Sequence, residues 1–371
     1  MSSGAYSGTS SQVSSLSARP FVSVLIDTYN HERFIEQAIE SVLGQDFPDA
    51  EREIIVVDDG STDRTPELVR KFEPCVRLLR KSNGGQASAF NAAIPECKGE
   101  IVAFLDGDDW WAPGKLRAVA DALTSDSAVG LVGHGVTQVW PDGQHHTELI
   151  REGPRFRITI ADGAKAFRLR KSFLGTSRMT FRKEILREIG HVPEALTFEA
   201  DEYLFTLGGL LADVVILRES FTFYRVHEQN LFQITGGGDQ ARRRKQQILA
   251  TLARLLREEF TRRGLATQVA QIILDSVQTE AELLELMVNQ EFPWKTVRAE
   301  LRNYRINHEN AATPDWIFKT ISLLPACILP SRTYYRLRRG VARNGLYRKA
   351  RGKWLPFLQP AHVDRYRATR H

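Results

Sequence analysis

The chain has 371 residues, enough for a sizeable core and for more than one folded unit. Fifty Lys and Arg stand against 45 Asp and Glu, a formal net charge of +5, and no recognisable nucleic-acid motif accompanies the excess. Cys75, Cys97 and Cys327 are far apart and in no zinc pattern, which argues against a disulfide framework and for a reduced, cytoplasmic protein.

Residues 1–19 are Ser-rich and lack both a basic start and an apolar core, so they read as a disordered tail, not a signal peptide. A first strand is predicted over residues 21–26 and a helix over 32–43, where Ile35, Ala38, Ile39 and Val42 recur at helical spacing. Residues 54–57 are short, Ile/Val-rich and apolar on both faces, which suits a strand covered by helices on both sides, and they end in Asp58 and Asp59. Thr65 and Pro66 read as a cap and first helical residue. A strand at 76–79 and a helix at 86–94 follow, then a second buried strand, 101–105, ending in Asp106-Gly107-Asp108-Asp109. Alternation of this kind predicts a mostly parallel sheet, on which ligands bind outside the carboxyl ends of the strands.

The acids sit at those ends. If the chain stays extended, Asp106 and Asp108 project to one side, roughly 6 to 7 Å apart given a rise of ~3.3 Å per residue. That spacing suits one hard divalent cation, Mg2+ or Mn2+, with coordination positions left for phosphate oxygens. Taken alone, Asp-Gly-Asp-Asp is also an ordinary polar turn. A dinucleotide fold would need a Gly-rich first turn, but here it reads Asp27-Thr28-Tyr29-Asn30-His31-Glu32. No Gly-Lys-Ser/Thr phosphate loop is present either. A metal is therefore the expected partner of a diphosphate.

Five segments in order, residues 22–30, 41–45, 57–63, 83–85 and 106–109, resemble the motif series of family 2 glycosyltransferases with the GT-A fold. The resemblance is strong over residues 21–116 and weaker to about 230. There Thr180-Phe181-Arg182-Lys183-Glu184 resembles the segment leading to the acceptor side, and Tyr224-Arg225-Val226-His227 resembles the closing Tyr-Arg-x-His. Asp201-Glu202 resembles the acidic helix start usually written Glu-Asp; the reversed order leaves open which of the two faces the acceptor.

The resemblance implies an inverting, metal-dependent transfer of a sugar from a nucleotide-diphosphate donor, a UDP-sugar by family habit, to a hydroxyl of a glycan or lipid-linked saccharide in bacterial surface polysaccharide assembly. Thr28, Tyr29 and Asn30 would line the nucleotide pocket with Asp58 and Asp59, Asp59 accepting from the base edge. Asp106 and Asp108 would hold ribose and metal, with His227 completing the metal shell or touching the diphosphate. Glu202 or Asp201 would take the acceptor proton, Glu202 being slightly preferred. Against these stand plain structural readings: Asp58 as a loop brace, His227 as a satisfied histidine, and Asp201 and Glu202 as first-turn acids that favour a helix dipole. A non-catalytic nucleotide or carbohydrate module on the same fold is the alternative function.

After about residue 239 the character changes. Gly236, Gly237 and Gly238 read as a hinge, and helices are predicted over 240–263 and 267–290, with Ile248, Leu252, Leu255 and Leu256 on one face. The expected division is a tail (1–19), a GT-A catalytic domain (20–235), a helical appendage (239–310) that could support an oligomer, and a basic amphipathic segment (311–371). No stretch is long and apolar enough to span a bilayer; residues 316–329 are too short and carry Lys319 and Pro325. That apolar run followed by Arg332, Arg336, Arg338, Arg339, Arg343, Arg348, Lys349, Arg351 and Lys353, with Tyr334, Tyr335, Tyr347 and Trp354 interleaved, suits peripheral attachment to the inner face of an anionic membrane.

Overall fold

A computed structural model describes residues 20–148, 150, 153–227, 239–289, 293–307 and 313–343. The expected tail, the Gly236–Gly238 hinge, and Tyr347, Arg348, Lys349, Arg351, Lys353 and Trp354 of the basic segment lie outside the described residues. In chain order the elements begin β1 (Val22–Thr28), α1 (Ile35–Leu43), β2 (Arg52–Asp58), α2 (Thr65–Arg70), β3 (Arg77–Arg80), α3 (Gln86–Ala93), β4 (Ile101–Asp106), β5 (Trp110–Trp111) and α4 (Lys115–Ser125). Next come β6 (Val129–Val139), β7 (His145–Thr147), β8 (Arg155–Phe156), α5 (Ala161–Arg170), β9 (Thr180–Arg182), α6 (Lys183–Ile189), α7 (Ala200–Leu211) and β10 (Asp213–Arg225). The last five are α8 (Asp239–Arg262), α9 (Thr267–Asn289), α10 (Pro293–Asn307), α11 (Thr313–Ser322) and α12 (Ser331–Arg343).

One mixed sheet runs β3, β2, β1, β4, β9, β6, β10, β5, with β7 on β6 and β8 on β10. The β3, β2, β1, β4 half is parallel throughout. Its strands are apolar on both faces because each face is covered. Val24, Ile26, Ile54, Val56, Ala103 and Leu105 join a core with α1, α2 and α4, while Leu25, Ile55, Val57, Val102 and Phe104 join one with α3, α5, α6 and α7. Period-two side chains thus feed two helical layers.

Register lines up the rim. Asp27 pairs with Asp106 across β1 and β4, Thr28 with Asp58 across β1 and β2, and Asp58 with Arg80 across β2 and β3. The short strand β9 runs antiparallel between β4 and β6, so its start, and the turn Thr176–Arg178 before it, lie at the rim where the parallel strands end.

One local expectation is corrected. Thr65 does not cap α2; it lies inside the helix, and Asp63 Oδ1 accepts its N–H at 2.9 Å while its own hydroxyl accepts from His31 N. After residue 239 the chain adds to the same core: Leu249, Leu252, Leu256, Ile273 and Val277 of α8 and α9 pack into the same cluster as α7. A separate small core forms only later, around Leu323, Ala326, Tyr334 and Tyr335.

Candidate active site

β4 ends at Asp106, and the chain turns at once: Asp109 N–H donates to Asp106 O at 3.0 Å. Asp106 and Asp108 therefore do not meet along an extended strand, as the spacing suggested. The turn folds Asp106, Asp108 and Asp109 together so that one carboxylate oxygen of each lies within 4.8 Å of the others. Gly107 makes this turn possible, since a Cβ there would come within 2.7 Å of Thr28 Oγ1 and 2.9 Å of His31 Nδ1.

The antiparallel pairing of β5 with β10 brings back the other half of the site. Trp110 stacks on Phe223 at 5.1 Å, and Arg225 lies over both Trp110 and Phe34. Arg225 N–H donates to Asp109 Oδ1 at 3.0 Å and its Nε to Asp108 O at 2.9 Å. His227 Nε2 then lies 3.0 Å from Asp108 Oδ2, with His31 Nε2 3.9 Å from the same oxygen. Asp106, Asp108 and His227, singled out from sequence, are thus assembled together.

Sequence reasoning missed four participants. Asp27 lies beside Asp106 with a buried Oδ1 that has no hydrogen-bond partner. Asp109 is buried and accepts from Ser177 Oγ at 2.6 Å. Ser177 is the hub of the rim: its hydroxyl also sits 3.1 Å from Asp106 Oδ2, and its carbonyl accepts from Trp111 Nε1, Lys115 Nζ and Thr222 Oγ1. The fourth, His31, stood in the loop read only for its lack of glycine.

The electrostatics of the cluster are those of a cation site. Burial, then Asp108, pushes the Asp27 carboxyl up to about 8. Burial and Asp27 raise Asp106 well above the usual carboxylate range, and burial and Asp108 do the same to Asp109. Burial would also raise Asp108, but His31 and His227 outweigh it and hold Asp108 below its ordinary value. Burial pushes His31 itself down, against the pull of Asp108. Crowded buried acids, an orphaned buried oxygen and a nearby imidazole fit a hard divalent ion. Asp106, Asp108 and Asp109 bring their oxygens close enough to hold it, and His227 adjoins through Asp108.

The nucleotide-side expectations divide. Tyr29 is 42 % exposed at the rim and available to a ligand, and Thr28 is buried beneath it beside His31. Asn30 instead builds the loop: it sits at φ 57° and its Oδ1 accepts from Thr62 N at 2.8 Å. Asp58 has no exposed surface and its oxygens accept from Ser61 N–H and Arg80 Nε, the contacts of a loop brace. Asp59 is likewise filled, by Lys81 Nζ at 2.7 Å and by the N–H groups of Gly84 and Gly85. Neither carboxylate is open to a base edge in this arrangement.

The acidic pair at the start of α7 also separates. Glu202 is buried in an ion pair with Lys171 Nζ at 2.7 Å. Asp201 is half-buried; its Oδ2 accepts from Thr176 N–H and Oγ1, one residue from the Ser177 hub. Its charge adds to the upward shifts of Asp27 and Asp106, so Asp201 lies toward the acid cluster. Burial, then Glu202, raises Asp201 itself.

The glycosyl transferase family 2 profile matches residues 23–190, a stretch that holds β1, the acid rim and the Ser177 turn. An uncharacterized glycosyltransferase of Nostoc sp. strain PCC 7120 is 31 % identical over 216 residues, covering 56 % of this chain and 66 % of that relative. The chain carries a glycosyl transferase family 2 region over residues 23–190. The match represents just under two thirds of the Nostoc protein's length. Two solved structures share the GT-A fold. A Staphylococcus aureus TarS fragment in complex with UDP-GlcNAc superposes with a TM-score of 0.54 at 19 % identity, over 86 % of this chain and 91 % of that one. A mannosyltransferase from Pyrobaculum calidifontis in complex with GDP-Man and Mn2+ gives 0.52 at 22 %, over 91 % and 88 %.

Proposed function

We propose that this glycosyltransferase moves a sugar from a nucleoside-diphosphate donor to an acceptor hydroxyl, with inversion at the anomeric carbon. The observation that carries the reading is the position of Asp201: a half-buried carboxylate with a raised pKa, on a helix start that faces the acid cluster. A UDP-sugar is the proposed donor, in keeping with the TarS complex, and the acceptor is a glycan or lipid-linked saccharide of polysaccharide assembly.

Mn2+ or Mg2+ would be held by Asp106, Asp108 and His227. When bound, the ion supplies Lewis-acid stabilisation of the leaving diphosphate. Ser177 and Arg225 keep Asp109 and Asp106 in place through hydrogen bonds already made, so the oxygens are preorganised. Tyr29 offers an exposed ring on which a nucleobase can stack. Asp201 accepts the acceptor's proton as its oxygen attacks C1, and its raised pKa brings it toward the working pH, where a general base is most effective. Glu202, neutralised by Lys171, fixes the helix start and leaves that role to Asp201.

The test is release of nucleoside diphosphate from UDP-, GDP- and dTDP-sugars with Mn2+ or Mg2+, with Asp108→Ala alongside. Turnover of one donor that needs metal and is lost in the variant is expected. Binding of a donor without any turnover, across a panel of saccharide acceptors, would favour the non-catalytic module instead.

A further inference from the structure

Of the nine large hydrophobic side chains most exposed among the described residues, six lie in the C-terminal unit: Trp294, Ile317, Ile321, Leu324, Ile328 and Leu337. Four of them, Ile317, Ile321, Leu324 and Ile328, follow helical spacing through α11 and the 3-10 turn Leu324–Cys327, and are 56 to 80 % exposed. The opposite side of the same stretch is also apolar: Leu323 and Ala326 pack inward against Tyr334 and Tyr335. A helix apolar on both faces needs a second apolar environment.

Beside the stripe runs a groove of about 640 Å³ between α10 and α11, lined by Trp294, Val297, Leu301 and Trp316 with Arg298 and Arg305 at its edge. Trp316 and Cys327, which line it, are the chain neighbours of Ile317 and Ile328, so groove and stripe adjoin. Arg298 and Arg305 are exposed and have no acidic partner among the described residues. Residues 293–343 carry ten Lys and Arg against Glu300, Glu309 and Asp315, and Glu300 is buried under Lys319 and Arg338. The surface is apolar and mainly cationic, with Glu282 and Glu285 of α9 in the adjoining cavity beside Arg298.

We infer that this face seats the enzyme on an anionic lipid bilayer, the isoleucine stripe entering the headgroup and acyl boundary and Arg298 and Arg305 meeting lipid phosphates. Charge complementarity selects a bilayer over a second copy of the chain, whose own face would bring cation against cation. The stripe is too short to span and suits lying in the interface. The residues are those of α10, α11 and the turn, and the inference holds whether or not the proposed donor and acceptor are correct.

The experiment is flotation of the full chain with vesicles of phosphatidylcholine alone and of phosphatidylcholine with phosphatidylglycerol. Three proteins are compared: wild type, Ile321→Glu with Ile328→Glu, and Arg298→Gln with Arg305→Gln. Their thermal melts should coincide, since all four side chains are exposed. Wild type should float with the anionic vesicles only, and less at high salt. The isoleucine pair should abolish flotation, and the arginine pair should weaken partitioning about twenty-five-fold, at about five-fold per arginine near an anionic surface. Equal behaviour on the two lipids, or flotation of the isoleucine variant like wild type, would overturn the inference. So would light scattering that finds a wild-type dimer split by the isoleucine pair, because the face would then belong to a second copy.

Discussion

Asp201→Asn and Glu202→Gln should separate chemistry from stability in adjacent residues. Asn keeps the size of Asp201 and can still accept from Thr176 or from Glu202 N–H, so folding should change by only about 1 kcal/mol. As the base, however, Asp201 should contribute a factor of about 10²–10⁴ in turnover, roughly 3 to 5 kcal/mol of barrier. Glu202→Gln leaves the buried Lys171 ammonium against a neutral amide at a site where the ion pair is 2.7 Å long. Breaking a buried pair costs about 3–5 kcal/mol, and the amide oxygen recovers part of that, leaving about 2–3. At about 2–4 °C per kcal/mol for a chain of this class, the melting temperature should fall by about 5–10 °C while turnover at low temperature stays within an order of magnitude. Nucleoside diphosphate release and thermal melting, read on both variants, decide it. If Glu202→Gln lost turnover at an unchanged melting temperature and Asp201→Asn did not, the assignment would be wrong.

Further predictions follow from single contacts. Ser177→Ala removes the hydroxyl that meets both Asp109 and Asp106; at about 1.5–3 kcal/mol for a hydrogen bond to a charged group, metal-dependent nucleotide affinity should drop by at least about ten-fold in calorimetry. Gly107→Ala would set a Cβ 2.7 Å from Thr28 Oγ1 and 2.9 Å from His31 Nδ1, so the acid turn must move; nucleotide binding should be lost with a much smaller change in melting temperature. Glu300 is buried with Lys319 and Arg338, and although burial alone would raise its carboxyl, they hold it down at about 2 against an ordinary 4.5. Its contribution is present above pH 4.5 and is lost as pH falls toward 2, with an upper bound of about 3 kcal/mol because burial also pushes Lys319 down. Acid titration followed by the fluorescence of Trp294 and Trp316 should show this loss in wild type, and Glu300→Gln should flatten it.

The acid rim was legible in the sequence because its strands are apolar on both faces and stop in aspartates, a pattern that two helical layers and one carboxyl end account for directly. Asp106, Asp108 and His227 were legible as a set only through the ordered motifs, since 119 residues separate Asp108 from His227. Ser177 was not legible: nothing local distinguishes that serine, and its place follows from the antiparallel insertion of β9 between β4 and β6. The turn at Gly107 was hidden by the assumption of a straight strand, though a glycine between acids is the residue such a turn requires. The occupancy of Asp58 and Asp59 depends on Arg80, Lys81 and Gly84, which a motif read by itself does not connect. The ion pair that engages Glu202 was hidden for a similar reason, because its partner Lys171 lies 31 positions upstream.

The proposed metal site of Asp106, Asp108 and His227 holds the donor's diphosphate within reach of an acceptor at Asp201. Calorimetric titration with UDP, GDP and dTDP, each with Mn2+ and with EDTA, on wild type and Asp108→Ala, probes that arrangement. One nucleotide should bind only with the metal, and that binding should disappear in the variant. Binding of equal strength in EDTA and in Asp108→Ala would rule the metal site out.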